Sequence, residues 1–187
     1  MDKYISAPLS DKEIKELKAG DCVYITGTIY TARDAAHKRM YELMQDGKEI
    51  PIDLKGNIIY YMGPSPAREG RAIGSAGPTT ASRMDKYTPE FLAMGLRGMI
   101  GKGKRSAAVR EAIIRNRAVY FAAVGGAGAL LSKSIVSSKV VAYDDLGTEA
   151  IRELQIKNFP VIVAIDSQGN DLYEAVMQQY ETDCSGK

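Results

Sequence analysis

Apolar positions along this chain switch between the 3.6-residue period of a helix and the two-residue period of a strand, and the switches outline its elements. Ser10-Asp11-Lys12-Glu13 has the form of a capping box, with Ile14 and Leu17 as the buried stripe of a short helix that Gly20 ends. Residues 21–30, DCVYITGTIY, are β-branched and aromatic and predict a strand with Gly27 inside it. Thr31 then reads as the N-cap of a helix over residues 32–45. Asp34 stands at the capping-box acid position, and Ala36, Met40, Leu43 and Met44 fall on the core face. Residues 50–54 and 57–62 predict two short strands around Lys55-Gly56, followed by a loop at Gly63-Pro64-Ser65-Pro66. Thr88-Pro89-Glu90 opens a helix that Gly95 stops.

The second half continues the alternation. It predicts a helix over residues 107–116, with Val109, Ile113 and Ile114 inside, and a buried strand over 118–124. Gly125 to Gly128 turn that strand into a small-residue helix over 129–135. A strand over 139–143, a helix over 146–154 and the most apolar strand, 159–165, follow. Ser167 to Asn170 read as a turn leading into a hairpin at Leu172-Tyr173, and the polar tail 181–187 as frayed. Strands alternating with helices place the chain in the α/β class, with a mixed sheet and flanking helices, as one domain over residues 1–187. Several glycine-rich strand-to-helix turns would gather on one face, where open α/β sheets bind ligands.

Composition narrows the chemistry. Lys and Arg number 25 against 23 Asp and Glu, a net charge of +2, which excludes the strong basic excess of a typical nucleic-acid binder. No apolar run approaches the roughly 20 residues of a membrane span, and the opening MDKYISAPLS lacks a signal-peptide core. The expected location is the cytoplasm. Two cysteines, Cys22 and Cys184, and one histidine, His37, are too few for a disulfide framework, a usual zinc site or an unaided iron–sulfur cluster.

Three stretches carry candidate chemistry. In AIGSAGPTTASR, residues 72–83, a Gly-Pro turn precedes Thr79 and Thr80, either of which suits an N-cap, with Arg83 one turn on. A helix start there would offer N–H groups and a cation to an anion; the alternative is a plain cap with a solvated arginine. Arg33 and His37 lie four apart on the helix after the first long strand, and Arg33 stands where the helix dipole disfavours a cation. Such a cation either has a function or is simply solvated, and His37 is either catalytic or a structural histidine bonded to backbone. In GMIGKGKRS, residues 98–106, the pattern G-x-x-x-x-G-K is followed by Arg105, so the magnesium-binding hydroxyl of a P-loop is missing. What remains is a glycine-flexed loop presenting Lys102 and Lys104 ahead of a helix, a further place for an anion.

Taken in series, TARDAAH (31–37), GPTTASRMD (77–85), IGKG (100–103), VGGAGAL (124–130) and YDDLGTEAI (143–151) resemble the β subunit, or C-terminal domain, of class I iron–sulfur fumarases and L-tartrate dehydratases. The resemblance implies a swivelling β/β/α domain and hydro-lyase chemistry: the reversible hydration of fumarate to (S)-malate. It implies a partner α subunit that carries a 4Fe-4S cluster, none being bound by this chain, in a hetero-oligomer with two copies of each subunit. Carried onto this sequence, Arg33 and Arg83 would clamp the carboxylates of a C4 dicarboxylate. Thr79 would be the base, Lys102 the substrate-side lysine and Thr80 a further substrate contact, with Asp34 and His37 behind them. Guanidinium forks suit carboxylates, and nearby cations would stabilise the charge built by proton removal. L-Tartrate dehydratase or methylfumarate hydratase activity is the alternative within the class. Outside it stands an anion- or nucleotide-binding module using the loop at 98–106.

Overall fold

A computed structural model describes residues 2–67, 69–123 and 128–185 of the chain. Its first helix starts where the sequence places it. The Ser10 hydroxyl accepts from the Glu13 N–H at 3.2 Å, and the Glu13 carboxylate accepts from the Ser10 N–H at 2.9 Å, a complete capping box for α1 (Asp11–Glu16). Replacing that hydroxyl leaves an amide unpaired at the helix start. Ser10→Ala is expected to lower unfolding stability by about 1 kcal/mol, read from the urea midpoint at unchanged slope.

Seven strands form one sheet: β1 (Lys3–Ala7), β2 (Cys22–Thr31), β3 (Ile58–Tyr60), β4 (Gly98–Gly101), β5 (Val119–Ala122), β6 (Ile135–Ala142) and β7 (Ile151–Ile165). β1 to β5 run parallel in chain order, and β7 is antiparallel to β2, β5 and β6. Because β7 pairs with β2 as well as β5, the strands β2-β3-β4-β5-β7 close into a barrel-like ring. Period-two alternation then sorts the side chains. Ile58, Tyr60, Ile100, Val119, Phe121 and Phe159 pack into one buried cluster, whereas their neighbours Ile59, Tyr61, Met99 and Tyr120 join a second. That second cluster contains the apolar faces of α2 (Asp34–Gln45), α3 (Thr88–Ala93) and α4 (Ala107–Asn116).

Several expectations fail, each for a tertiary reason. Residues 146–154 do not form a helix. A 3₁₀ turn spans Asp144–Glu149, with Gly147 at φ +58°, and β7 starts at Ile151 and runs for 15 residues. Its first half is held from both sides, by β2 and by β6, and this outweighs the local helical pattern. The expected hairpin at 172–173 is instead the start of α6 (Leu172–Ser185), after a turn in which the Asp166 carboxylate accepts from the N–H groups of Gln168 and Asn170. Residues 50–54 form no strand; Ile52 and Leu54 bury themselves as loop residues in the helix-side cluster. The small-residue helix is only α5 (Gly128–Leu131), followed by a 3₁₀ turn at Ser132–Ser134, because β6 begins at Ile135 and not at 139. The glycine turn expected at 125–128 falls mainly on residues 124–127, which lie outside the described residues, as do tail residues 186–187.

Candidate functional site

Thr31 is not a cap. It ends β2, pairing with Tyr60 and Arg152 on its two sides, and its hydroxyl accepts from the Arg152 N–H at 3.1 Å. The sheet ladder claims it, so Arg33 becomes the N-cap residue of α2 and Asp34 its first helical residue. Asp34 has no partner threonine to bond in a capping box. Its carboxylate instead lies between two arginines, with Oδ1 2.8 Å from Arg83 Nε and Oδ2 3.8 Å from Arg33 Nε. Glu149, carried by the 3₁₀ turn before β7, completes the group. One oxygen is 3.3 Å from Arg33 Nε and the other accepts from the Ala35 N–H at 3.2 Å, so a carboxylate occupies the positive end of α2. Arg33 is largely enclosed, its side chain 23% exposed, and packs against Gly63, where a Cβ would fall within 2.9 Å of Nη1. Arg83 is 52% exposed.

Neither threonine caps a helix with its side chain. The segment after them is a four-residue 3₁₀ turn, Ala81–Met84, too short to offer the amides of an α-helix N-terminus. The backbone of Thr79 and Thr80 is used in strand-like pairing. Thr79 donates its N–H to the Tyr61 carbonyl at 2.7 Å and accepts from the Lys102 N–H at 3.3 Å. Thr80 forms a parallel bridge with Lys102, whose carbonyl accepts from the Ala81 N–H at 2.9 Å. These bonds bring the GPTT segment alongside the IGKG segment, with Thr80, Arg83 and Lys102 exposed on the surface. Lys102 makes no ion pair among the described residues, unlike the two arginines. Thr79, Thr80 and Lys102 therefore share one stretch of paired backbone, Arg83 follows it in the 3₁₀ turn, and Asp34 lies between Arg83 and Arg33.

His37 lies below this surface. Its ring is fully buried, stacked on Phe91 at 5.1 Å and edge-on to Tyr61 at 5.3 Å. Nδ1 is 2.8 Å from the Arg33 carbonyl, which can only accept, so the proton sits on Nδ1; Nε2 is buried without a partner. Burial, with a smaller contribution from the Arg105 charge, pushes its pKa down to about 4, against the opposing pull of the Arg33 carbonyl and Asp34. The ring is thus neutral at pH 7 and holds the backbone of the residue that bears the first arginine.

The residue that sequence reasoning missed is Arg105, which entered only as the wrong residue for a P-loop. The frame of that motif does not survive folding, because Gly98–Gly101 is a buried strand. Arg105 turns inward from the loop after it, and its side chain is 0% exposed. Nε is 2.6 Å from Asp85 Oδ1, Nη2 donates to Thr88 Oγ1 at 2.8 Å, and the guanidinium lies over the rings of Tyr61 and Tyr120. Burial disfavours its charge, but Tyr61, Asp85 and Tyr120 outweigh that and raise its pKa. The only sequence signal was the Arg105-Ser106 pair ahead of a helix, and it resembled ordinary loop polarity. Glu149 was quoted in a motif and given no role.

Among the described residues, no three His, Cys, Asp or Glu side chains are grouped as a metal ion would need, and no helix is long and apolar enough to cross a membrane. Comparison with known proteins yields a match to the family model described as fumarase C-terminus over residues 3–176. The chain is 39% identical over 180 residues to the "Putative L(+)-tartrate dehydratase subunit beta" of Methanocaldococcus jannaschii, covering 93% of this chain and 92% of that protein. It is also 39% identical over 162 residues to the aerobic class I fumarate hydratase of Escherichia coli (strain K12). Identity to fumarate hydratase 2 of Leishmania major is 36% over 168 residues. Against these two the match covers 86% and 89% of this chain but 30% of each fumarate hydratase.

Proposed function

Because the chain belongs to the fumarase C-terminus family, we propose that it is the β subunit of an iron–sulfur hydro-lyase that hydrates and dehydrates a C4 dicarboxylate. The observation that carries this reading is the grouping of Arg33, Arg83, Thr79, Thr80 and Lys102 through Asp34 and the Thr80–Lys102 bridge. A dicarboxylate presents two anions, and two arginines at one place can take them as forks. Asp34 pairs with Arg83 Nε at 2.8 Å and Glu149 lies 3.3 Å from Arg33 Nε, and we assign the Nη edges of both guanidinium groups to the substrate carboxylates. Lys102, which makes no ion pair among the described residues, supplies the net positive charge. A threonine hydroxyl serves as a base only beside such cations; the bridge pairs Thr80 with Lys102, and Thr79 is the neighbouring residue in the chain.

The ligands for a 4Fe-4S cluster are assigned to a partner α subunit, whose iron supplies Lewis-acid polarisation of a substrate oxygen when the two chains meet. The near end-to-end match to a relative named as a β subunit favours this two-chain arrangement. We further assign the domain a swivelling motion against the partner, a cytoplasmic location and a complex with two copies of each chain. Fumarate and (S)-malate are the first substrates to test. L-Tartrate is the second reading, favoured by the same full-length relative.

The test is co-expression with the cluster-bearing subunit under anaerobic conditions, followed by assay on fumarate, malate and both tartrates. The isolated chain is expected to produce no malate from fumarate, and the reconstituted complex to turn over one of these diacids. Malate formation by the pure chain alone would overturn the shared-site reading. Binding of ATP by the isolated chain would revive the nucleotide module at 98–106.

A further inference from the structure

The exposed residues of the proposed site rest on a buried layer that neither the sequence motifs nor the substrate chemistry accounts for. Its centre is Tyr61, 0% exposed and next to the last residue of β3. The Tyr61 carbonyl accepts from the Thr79 N–H, and its ring meets His37, which in turn bonds the Arg33 carbonyl. On its other side the ring meets the Arg105 guanidinium, 5.3 Å from the ring centre. Arg105, three residues after Lys102, then reaches the segment that carries Arg83. Asp85, directly after the 3₁₀ turn that holds Arg83, takes Arg105 Nε on one oxygen and the Ser106 N–H on the other, at 2.6 and 2.7 Å. Thr88 Oγ1 accepts from Arg105 Nη2 at 2.8 Å and donates its own hydroxyl hydrogen bond to the Met84 carbonyl at 2.9 Å.

The segments 79–85 and 102–106 are therefore fastened twice. At the surface the tie is the Thr80–Lys102 bridge; in the interior it is the Asp85–Arg105–Thr88 group. From this geometry we infer that Arg105 is a positioning residue: it sets the spacing of Arg83 and Lys102 from beneath without touching substrate. The inference rests on the dicarboxylate site proposed above.

Only an arginine fits the place. Its Nε and Nη2 serve two acceptors at fixed angles while the flat guanidinium stays in contact with Tyr61 and Tyr120 at 5.3 and 4.8 Å. A lysine carries the charge but is a point donor, so it cannot hold Asp85 and Thr88 in one plane. The charge is kept and the spacing is lost.

The test compares R105K and D85N with wild type, both in the full chain and in the complex with the cluster-bearing subunit. In the full chain, amide hydrogen exchange at Ala81 and Lys102 is expected to speed up by about tenfold in both variants, with the amides of β2 and β7 unchanged. In the complex, KM for the dicarboxylate is expected to rise by about tenfold or more and kcat to fall, at equal cluster content. Unchanged exchange at Ala81 and Lys102 overturns the inference. So does a variant that melts earlier but keeps wild-type KM and kcat, which would make Arg105 purely structural. If the wild-type complex is inactive on every diacid, the functional reading above is what fails, and the exchange comparison alone decides whether Arg105 sets the spacing.

Discussion

Arg83→Ala in the assembled enzyme is expected to lower kcat/KM for its dicarboxylate by roughly a thousandfold, equivalent to about 4 kcal/mol, while the chain folds and still binds its partner. The size follows from the role proposed for it. A guanidinium paired with a substrate carboxylate in a site closed by a second subunit is a charge-assisted, bidentate contact, and its loss leaves the carboxylate without a partner. The folding cost is small for a separate reason. Arg83 is half exposed, and its one ion pair among the described residues, to Asp34, is of the surface kind that contributes about 1 kcal/mol or less. Arg33→Ala is expected to reduce turnover comparably. It will cost more stability, because Arg33 is enclosed between Glu149, Asp34 and Gly63. Steady-state kinetics on both variants, with thermal melting as the fold control, reads the two effects apart. Near-normal kcat/KM in both would remove the clamp assignment.

The second large effect is acid lability from His37. Its folded pKa is about 4, whereas an unfolded histidine titrates near 6.5. Between those values the unfolded chain binds a proton that the folded chain refuses, so stability falls as pH drops. The contribution is complete above about pH 6.5, is lost progressively below it, and levels off near pH 4. The full span is on the order of 3 kcal/mol. Urea unfolding of the chain at pH 7 and pH 4.5 measures it, and H37Q is the control. That variant keeps a polar side chain but no group that titrates in this window, so its stability should change much less between the two conditions. An equal pH response in H37Q would assign the acid loss to carboxylates elsewhere.

Short-range rules carried much of this molecule. The capping box at Ser10, the strand after Asp21, the proline-started helix at Thr88 and the helix over 107–116 all stand where local pattern puts them. The α/β class and the family resemblance were legible for the same reason: each depends on residues near one another in the chain. Long-range pairing decided the rest. Residues 152–156 are strand because β2 and β6 flank them, and Thr31 is sheet and not cap because Arg152 lies opposite. Site residues were visible as types, an arginine here and a lysine there, but not their connections. That Asp34 links Arg33 to Arg83, or that Arg105 lies buried against Tyr61, depends on segments some 50 residues apart meeting across the outer face of a closed ring of strands. A charge's partner and its exposure are properties of that meeting. Period and propensity determine which way a side chain faces on its own element; what it meets there is set by the packing of elements distant in the chain.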